Sequence, residues 1–345
     1  MKASISVWFL VACNVGVSYA IEPVTVTAGI VAAVSALWGY ADKTHCRVME
    51  CCDLHSISTN AKNISVLEDV LRRNVYGQHL MQDIVLRALR GHMLASDPKK
   101  ALVLSFHGTP GCGKSYVSDF IAQSLYVRGM KSQYVKKFVA GTDFPDASRG
   151  AVYKLKISKE IQKTVEKCER SLFIFEDVQK MPPSVLDAVV PFIDYHTDID
   201  GVDYRKSIFL FLSNTGASYI NQKTLELWSK GTQREDIIKL HDFETMIRQG
   251  AFNEEGGLFK SETITTSLID HYIPFLPLEE KHVRKCIHDE FLKLGYPTSP
   301  PGAAELILEE MTFMPDDVHL YSVTGCKRVS AKVTAYHYGK KFTSF

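Results

Sequence analysis

Residues 101–106 (Ala-Leu-Val-Leu-Ser-Phe) form an apolar run without alternation, bounded by Asp97-Pro98-Lys99-Lys100 and a glycine-rich stretch. That pattern predicts a short strand buried on both faces. Similar runs predict strands at 134–139, 172–175 and 208–212. Between them, apolar positions recur at helical spacing over 115–126, 153–168 and 184–195, the last entered through Pro182-Pro183. Upstream, two helical patterns between residues 65 and 90 flank Val75-Tyr76-Gly77-Gln78, with Gly77 as the break. Strands alternating with helices imply βαβ units and a parallel sheet. Past Pro274-Phe275-Leu276-Pro277 the pattern changes to helices without a strand: 279–294, 303–314 and one beginning near Gly325. The fold class is therefore α/β. A central parallel sheet flanked by helices occupies residues 46–275, and a small helical lid domain occupies 276–345.

The first forty residues follow another pattern. Lys2, an apolar run at 5–11 and Ser18-Tyr19-Ala20 stand in the order of a secretory signal peptide, residues 1–20; a buried N-terminal helix is the alternative. Residues 21–45 then hold an uncharged apolar stretch at 24–40, opened by Pro23 and closed by Trp38 and Tyr40. It is shorter than the roughly 20 residues a bilayer span needs, so peripheral membrane association is expected rather than a secure span. After a signal peptide, disulfides are the expected state of cysteines outside the core. Cys46, Cys51, Cys52 and His55 could instead hold zinc, although their spacing fits no standard finger. Asn63-Ile64-Ser65 is a glycosylation sequon, in keeping with a secretory route. Forty Lys plus Arg against thirty-nine Asp plus Glu leave a net charge of +1. A nucleic-acid binder usually carries a clear basic excess, so nucleic acid is not expected as a partner.

Candidate chemistry concentrates in Gly108-Thr109-Pro110-Gly111-Cys112-Gly113-Lys114-Ser115. The segment fits Gly-x4-Gly-Lys-Ser/Thr, follows the first strand directly and opens a helix. Glycines let backbone N–H groups wrap phosphates, and the helix N-terminus adds its positive end. Lys114 reaches the β/γ oxygens, and Ser115 offers a hydroxyl to Mg²⁺. The strand at 172–175 delivers Glu176-Asp177 at its carboxyl end, where open parallel sheets bind ligands. One acid would serve the metal and the other would orient or deprotonate water. Asn214, at the end of the 208–212 strand, is placed to touch a γ-phosphate.

These residues resemble the torsins, a family of AAA+ ATPases of the endoplasmic reticulum and nuclear envelope lumen. The resemblance is carried by Val75-Tyr76-Gly77-Gln78-His79-Leu80, the Gly108 to Ser115 loop, Phe173-Ile174-Phe175-Glu176-Asp177 and Phe211-Leu212-Ser213-Asn214-Thr215-Gly216-Ala217. It continues through Gln233-Arg234-Glu235-Asp236, Pro274-Phe275-Leu276-Pro277-Leu278 and Gly325-Cys326-Lys327, where a cysteine inside the sensor-2 motif is a torsin hallmark. The resemblance implies a P-loop AAA+ domain that takes ATP and Mg²⁺. Lys114 and Ser115 would bind phosphate and metal, with Glu176 as the second metal-side group, and Tyr76 and Gly77 would lie against the base. Asn214 would be sensor 1 and Lys327 sensor 2. Cys286 and Cys326 would form a redox-responsive disulfide, and one of Cys46, Cys51 and Cys52 would pair with Cys168. A metal pair of His282 with Cys286 is the alternative for that cysteine, without an evident third ligand. Torsin-like behaviour further implies homo- or hetero-oligomers, and a membrane-anchored luminal activator that supplies the arginine finger. Arg205, Arg234 and Arg248 are the arginines weighed as fingers of the chain's own.

Two departures stand out. Torsin loops usually end Gly-Lys-Asn, whereas this one ends Gly-Lys-Ser, which favours Mg²⁺ coordination. The usual Asp-Glu pair is exchanged to Glu176-Asp177. Adjacent strand residues point to opposite faces, so the metal-side carboxylate is a methylene longer and the water-side one a methylene shorter. Slow intrinsic hydrolysis is the expectation. The rival functions are a Clp-type threading unfoldase, with Phe138 and Phe144 as the nearest aromatics for a pore grip, and a non-hydrolysing scaffold that holds ATP structurally. A small-molecule kinase fits least, because it has no place for Lys327 or the helical lid.

Overall fold

The structure is a computed structural model that describes residues 50–52, 57–236, 240–254 and 256–342. The predicted signal peptide, the apolar segment at 24–40, Cys46 and His55 lie outside the described residues.

Among the described residues, five parallel strands stand in the order β2-β3-β4-β1-β5: β1 (Leu102–His107), β2 (Val135–Val139), β3 (Leu172–Glu176), β4 (Ile208–Ser213) and β5 (His271–Pro274). The three inner strands are the apolar runs of the sequence. All six residues of β1 and all six of β4 are buried, as expected of strands covered by helices on both faces. Phe173 stacks on Phe209 with ring centroids 4.9 Å apart, and Phe175 meets Phe211 at 5.5 Å. Register places Phe175 opposite Phe211, and Phe211 opposite Ser105. The carboxyl ends of β1, β3 and β4 therefore finish side by side.

Helices α1 (Ile57–Asn74), α2 (His79–Leu94), α3 (Lys114–Leu125) and α4 (Gly150–Val165) share the sheet's apolar core. So do α5 (Ala217–Ser229) and α6 (His241–Asn253). Beyond the sheet, α7 (Glu280–Lys293), α8 (Ala303–Glu309) and α9 (Val329–Phe342) gather a second apolar cluster around Val283, Ile287, Phe291, Ile307 and Val333. Among the described residues, no helix is long and apolar enough to cross a membrane.

Several elements differ from the sequence reading. The fifth strand, β5, has only four residues and ends in Pro274; proline is tolerated there because β5 is an edge strand. Buried Lys100 fixes its start, donating to Asp270 Oδ2 at 2.7 Å while the same carboxylate oxygen accepts from Val103 N–H at 2.8 Å. The expected helix at 184–195 is a 3₁₀ turn, Val185–Val189, followed by a single turn, Val190–Ile193. A two-stranded hairpin, β6 (Phe313–Met314) with β7 (Tyr321–Ser322), interrupts the helical C-terminal region, and its last helix begins at Val329.

Cys52 pairs with Cys168 and Cys286 with Cys326. The first selects among the cysteines left open by sequence, and the second removes the thiolate that a His282–Cys286 metal pair needs. Among the described residues no cluster of His, Cys, Asp or Glu could hold a metal by itself. Asn63 lies half-buried within α1.

Candidate nucleotide site

The glycine-rich loop runs from the end of β1 into α3, which starts at Lys114. Its backbone groups therefore open toward the ends of β3 and β4, where positive helix-terminal N–H groups favour an anion. Lys114 Nζ rests on the loop itself, donating to Gly108 O at 2.6 Å and Thr109 O at 3.0 Å. Ser115 Oγ donates to Glu176 Oε1, so the hydroxyl and carboxylate that a hard cation needs already meet. Glu176 also pairs with Lys137 of β2, Nζ to Oε2 at 2.5 Å. Asp177 lies just beyond β3 in the left-handed region, φ 57°. Burial alone would raise its pKa, but hydrogen bonds from Lys180 and Gln179 and the charge of Lys327 hold it below the usual aspartate value. Asn214 follows β4, and its backbone N–H donates to Gln179 Oε1 at 3.1 Å. The strand ends thus bring Lys114, Ser115, Glu176, Asp177 and Asn214 to one edge of the sheet.

The Gly325-Cys326-Lys327 segment closes on the loop from the C-terminal region. Cys326 N–H donates to Gly111 O at 3.1 Å. Gly111 (φ 80°) and Gly325 (φ 51°) face each other so closely that a Cβ on Gly111 would overlap the Thr324 carbonyl, and one on Gly325 would overlap Gly111 O. Both glycines are required twice over, by left-handed backbone and by contact. Gly325→Ala is therefore expected to lower unfolding free energy by at least ~1–2 kcal/mol, read from urea denaturation. An unchanged midpoint would mean that the two segments separate freely.

A cavity of about 270 Å³ lies beside this contact, lined by Val75, Tyr76, Gly111–Gly113, Tyr116, Asp289 and Cys326 among others. Its wall includes the Cys286–Cys326 disulfide. Tyr76 OH donates to Asp289 Oδ2 at 2.7 Å, and Lys285 Nζ lies 5.3 Å from the Tyr76 ring centre. Gly77 is fixed through its carbonyl, which accepts from Arg234 Nη2 at 2.7 Å. Buried Arg234 also donates to Pro277 O and Glu279, and Arg205 pairs with Asp97 and Asp203. Two of the three arginines weighed as fingers are thus engaged inside the chain, while exposed Arg248 donates to Ser267. Phe138 and Phe144 are buried, Phe138 against Phe175, which withdraws them from a pore grip. His282 sits in the capping box of α7; burial first, then the charge of Arg234, lowers its pKa to about 3, so the ring stays neutral.

Some participants had weak sequence signals. Gln78 belongs to the Tyr76-Gly77-Gln78 motif; its buried carboxamide donates to Cys112 O and Leu276 O and accepts from Leu276 N–H, tying the loop to the segment after β5. Lys137 and Gln179 carried no signal, since one is an edge-strand lysine and the other a turn residue.

Comparison with known proteins places this geometry in a family. The sequence pattern described as Torsin matches residues 46–175, and that described as Torsin-1A, C-terminal domain, matches 278–336. A torsin-like protein of Caenorhabditis elegans is 39% identical over 305 residues, covering 88% of this chain and 85% of that protein. One from Drosophila melanogaster is 39% identical over 91% of this chain and 92% of its own length. Torsin-3A of Mus musculus is 36% identical over 84% and 76%. Among solved structures, Hsp104 in a closed state with ATPγS and FITC casein aligns with a TM-score of 0.55 at 17% identity, over 87% of this chain. The S. cerevisiae Hsp104–ADP complex aligns with the same TM-score at 16% identity, over 82%. The chain spans about half the length of those Hsp104 chains, 51% and 48%, and the likeness concerns the fold.

Proposed function

The chain belongs to the torsin family of AAA+ proteins, and from that premise we propose that it binds ATP with Mg²⁺ and hydrolyses it slowly until a membrane-anchored luminal activator supplies an arginine. The observation that carries this reading is the meeting of Ser115 Oγ with Glu176 Oε1 next to Lys114, at the start of the helix that the glycine-rich loop opens; Gly111–Gly113 of the same loop line the cavity. The oxygen donors suit a hard cation. Ser115 and Glu176 would hold Mg²⁺, which neutralises charge on the β/γ oxygens when bound.

The chain's own residues divide the remaining work. Gly108, Thr109, Pro110, Gly111, Cys112 and Gly113 supply the backbone cradle, Lys114 the charge, and Tyr76 with Gly77 the wall beside the base. Asp177 orients water, Asn214 contacts the γ-phosphate as sensor 1, and Lys327 reaches it as sensor 2. Arg234 and Arg205 are occupied by internal partners, which supports delivery of the finger from another chain. AAA+ proteins typically assemble into oligomers, and oligomerisation with or around the activator is part of the reading. The disulfides Cys52–Cys168 and Cys286–Cys326 suit an oxidising compartment, here the lumen of the endoplasmic reticulum and nuclear envelope, where Asn63 would be glycosylated. The cellular role in this reading is chaperone-like remodelling of proteins or membranes. A large domain ending at residue 275 and a small helical domain from 276 are part of the reading; the sheet's core runs to Leu276 and the second apolar cluster starts at Leu278, which supports a division close to that point.

The test is phosphate release by the full chain with and without a luminal activator domain, in oxidising and reducing buffer. Weak release alone and strong stimulation by the activator are expected. Reducing Cys286–Cys326 loosens the cavity wall and is expected to weaken ATP affinity by about tenfold, because a preorganised wall is lost. Binding of ATP without release under any condition would favour the scaffold reading, in which Lys137 and Lys180 keep both acids paired.

A further inference from the structure

Gln179 joins the ends of two strands. Its Nε2 donates to Asp177 Oδ1 at 3.2 Å, while its Oε1 accepts from Asn214 N–H at 3.1 Å and from Ser213 Oγ at 3.3 Å. The residue occupies the 3₁₀ turn Val178–Lys180 directly after β3. Gly257 N–H holds that turn by donating to Val178 O at 3.0 Å. Gly256 lies against it, and a Cβ there would come within 2.5 Å of Gln179 O. The side chain therefore starts from a fixed backbone.

Its far end is fixed as well. Ser213 Oγ accepts from Thr215 N–H at 3.1 Å and shares a hydrogen bond with Thr215 Oγ1 at 2.9 Å. Thr215 O can only accept, so His107 Nδ1 carries the proton that it receives at 2.9 Å, and His107 Nε2 accepts from Ser105 Oγ at 2.7 Å. His107 is fully buried, and burial lowers its pKa to about 4. The result is a polar chain running from Ser105 and His107 of β1 to half-buried Gln179, with each step between fixed groups.

We propose that Gln179 is a positioning residue for ATP cleavage: it clamps the Asp177 carboxylate to the backbone of Asn214, so that the acid beside water and the group beside the γ-phosphate keep one spacing. The chemistry of the side chain fits the task. A carboxamide offers a donor and an acceptor together, whereas a carboxylate in its place would still accept from Asn214 but repel Asp177. Both polar ends of the Gln179 side chain are engaged, with Asp177 and with Asn214 N–H and Ser213 Oγ, so it acts through those groups rather than on ATP. This inference rests on the ATPase reading above.

The test compares the full chain with Gln179→Ala and Gln179→Glu for equilibrium ATP affinity, single-turnover ATP cleavage with activator domain present, and thermal midpoint. Affinity is expected to stay within about twofold of the parent. Cleavage is expected to fall by about tenfold or more in Gln179→Ala, because misplacing a catalytic group by ~1 Å can cost about 100-fold. It is expected to fall further in Gln179→Glu, which keeps the bonds to Asn214 and Ser213 and therefore the fold. Cleavage within about twofold of the parent in both variants would overturn the inference. So would a parallel loss of affinity and cleavage, the mark of a purely structural residue. A parent that binds ATP and never cleaves it would overturn the ATPase reading together with this one. A parent that cleaves while Gln179→Ala matches it would overturn the role of Gln179 alone.

Discussion

Single-turnover ATP cleavage is expected to rise when the acids are exchanged as Glu176→Asp/Asp177→Glu. In the native order, Glu176 is long enough to reach both Ser115 Oγ and Lys137 Nζ. Asp177 is short, leaves β3 in a left-handed conformation, and is held by Lys180 at 2.6 Å. The acid proposed to orient water is therefore the one with less reach and a close cationic partner. A methylene moves a carboxylate by roughly 1 Å, and such a displacement can be worth on the order of 100-fold in rate. A gain between about tenfold and 100-fold is expected for the exchanged pair, with ATP affinity little altered. A rate at or below that of the parent would mean that the native order is already the productive one. The proposed slow intrinsic turnover would then need another cause.

Removal of the loop lysine is expected to act on binding instead. Lys114 Nζ is held by the carbonyls of Gly108 and Thr109 and lies 3.7 Å from Cys112 Sγ. A phosphate oxygen would replace those neutral acceptors with charged ones, and hydrogen bonds between charged partners are worth about 1.5–3 kcal/mol each. Lys114→Ala is thus expected to weaken ATP affinity by about 100-fold, measured by calorimetric titration, while leaving the thermal midpoint near that of the parent. Affinity within about twofold of the parent would place the triphosphate somewhere other than this loop.

The parts of this site that were legible in the sequence are those whose chemistry fixes residue type at close spacing. The Gly108 to Ser115 loop needs glycines, a lysine and a hydroxyl in sequence. The 172–175 run needs apolar residues on both faces before it presents Glu176. Both stand where the pattern put them, as do the inner strands. The weakly legible elements are short or held by distant partners. Strand β5 is four residues ending in proline, and its position depends on Lys100 and Asp270, which are 170 residues apart in sequence. The turn at Val185–Val189 has helical apolar spacing but does not extend into a regular helix. Arg234 could be read as a finger only while its burial against Gly77, Pro277 and Glu279 was invisible. Lys137 gains its meaning from the parallel pairing of β2 with β3, which sets Val139 opposite Glu176, and Gln179 from the pairing of β3 with β4, which sets the ends of those strands side by side; no local pattern encodes such pairing.

The contact of Gly111 with Gly325 has a further consequence for how the site works. It places the C-terminal region directly on the phosphate loop, with the Cys286–Cys326 disulfide in the same wall. A ligand entering the cavity thus meets backbone from both parts of the chain, and its affinity depends on how firmly they are joined. The most direct measurement is titration of ATP into the purified full chain, with Mg²⁺ and with chelator, beside Lys114→Ala. Saturable binding that strengthens with Mg²⁺ and is lost in the variant is expected. Failure of the parent to retain ATP in Mg²⁺, or equal retention by Lys114→Ala, would contradict a nucleotide site at this loop.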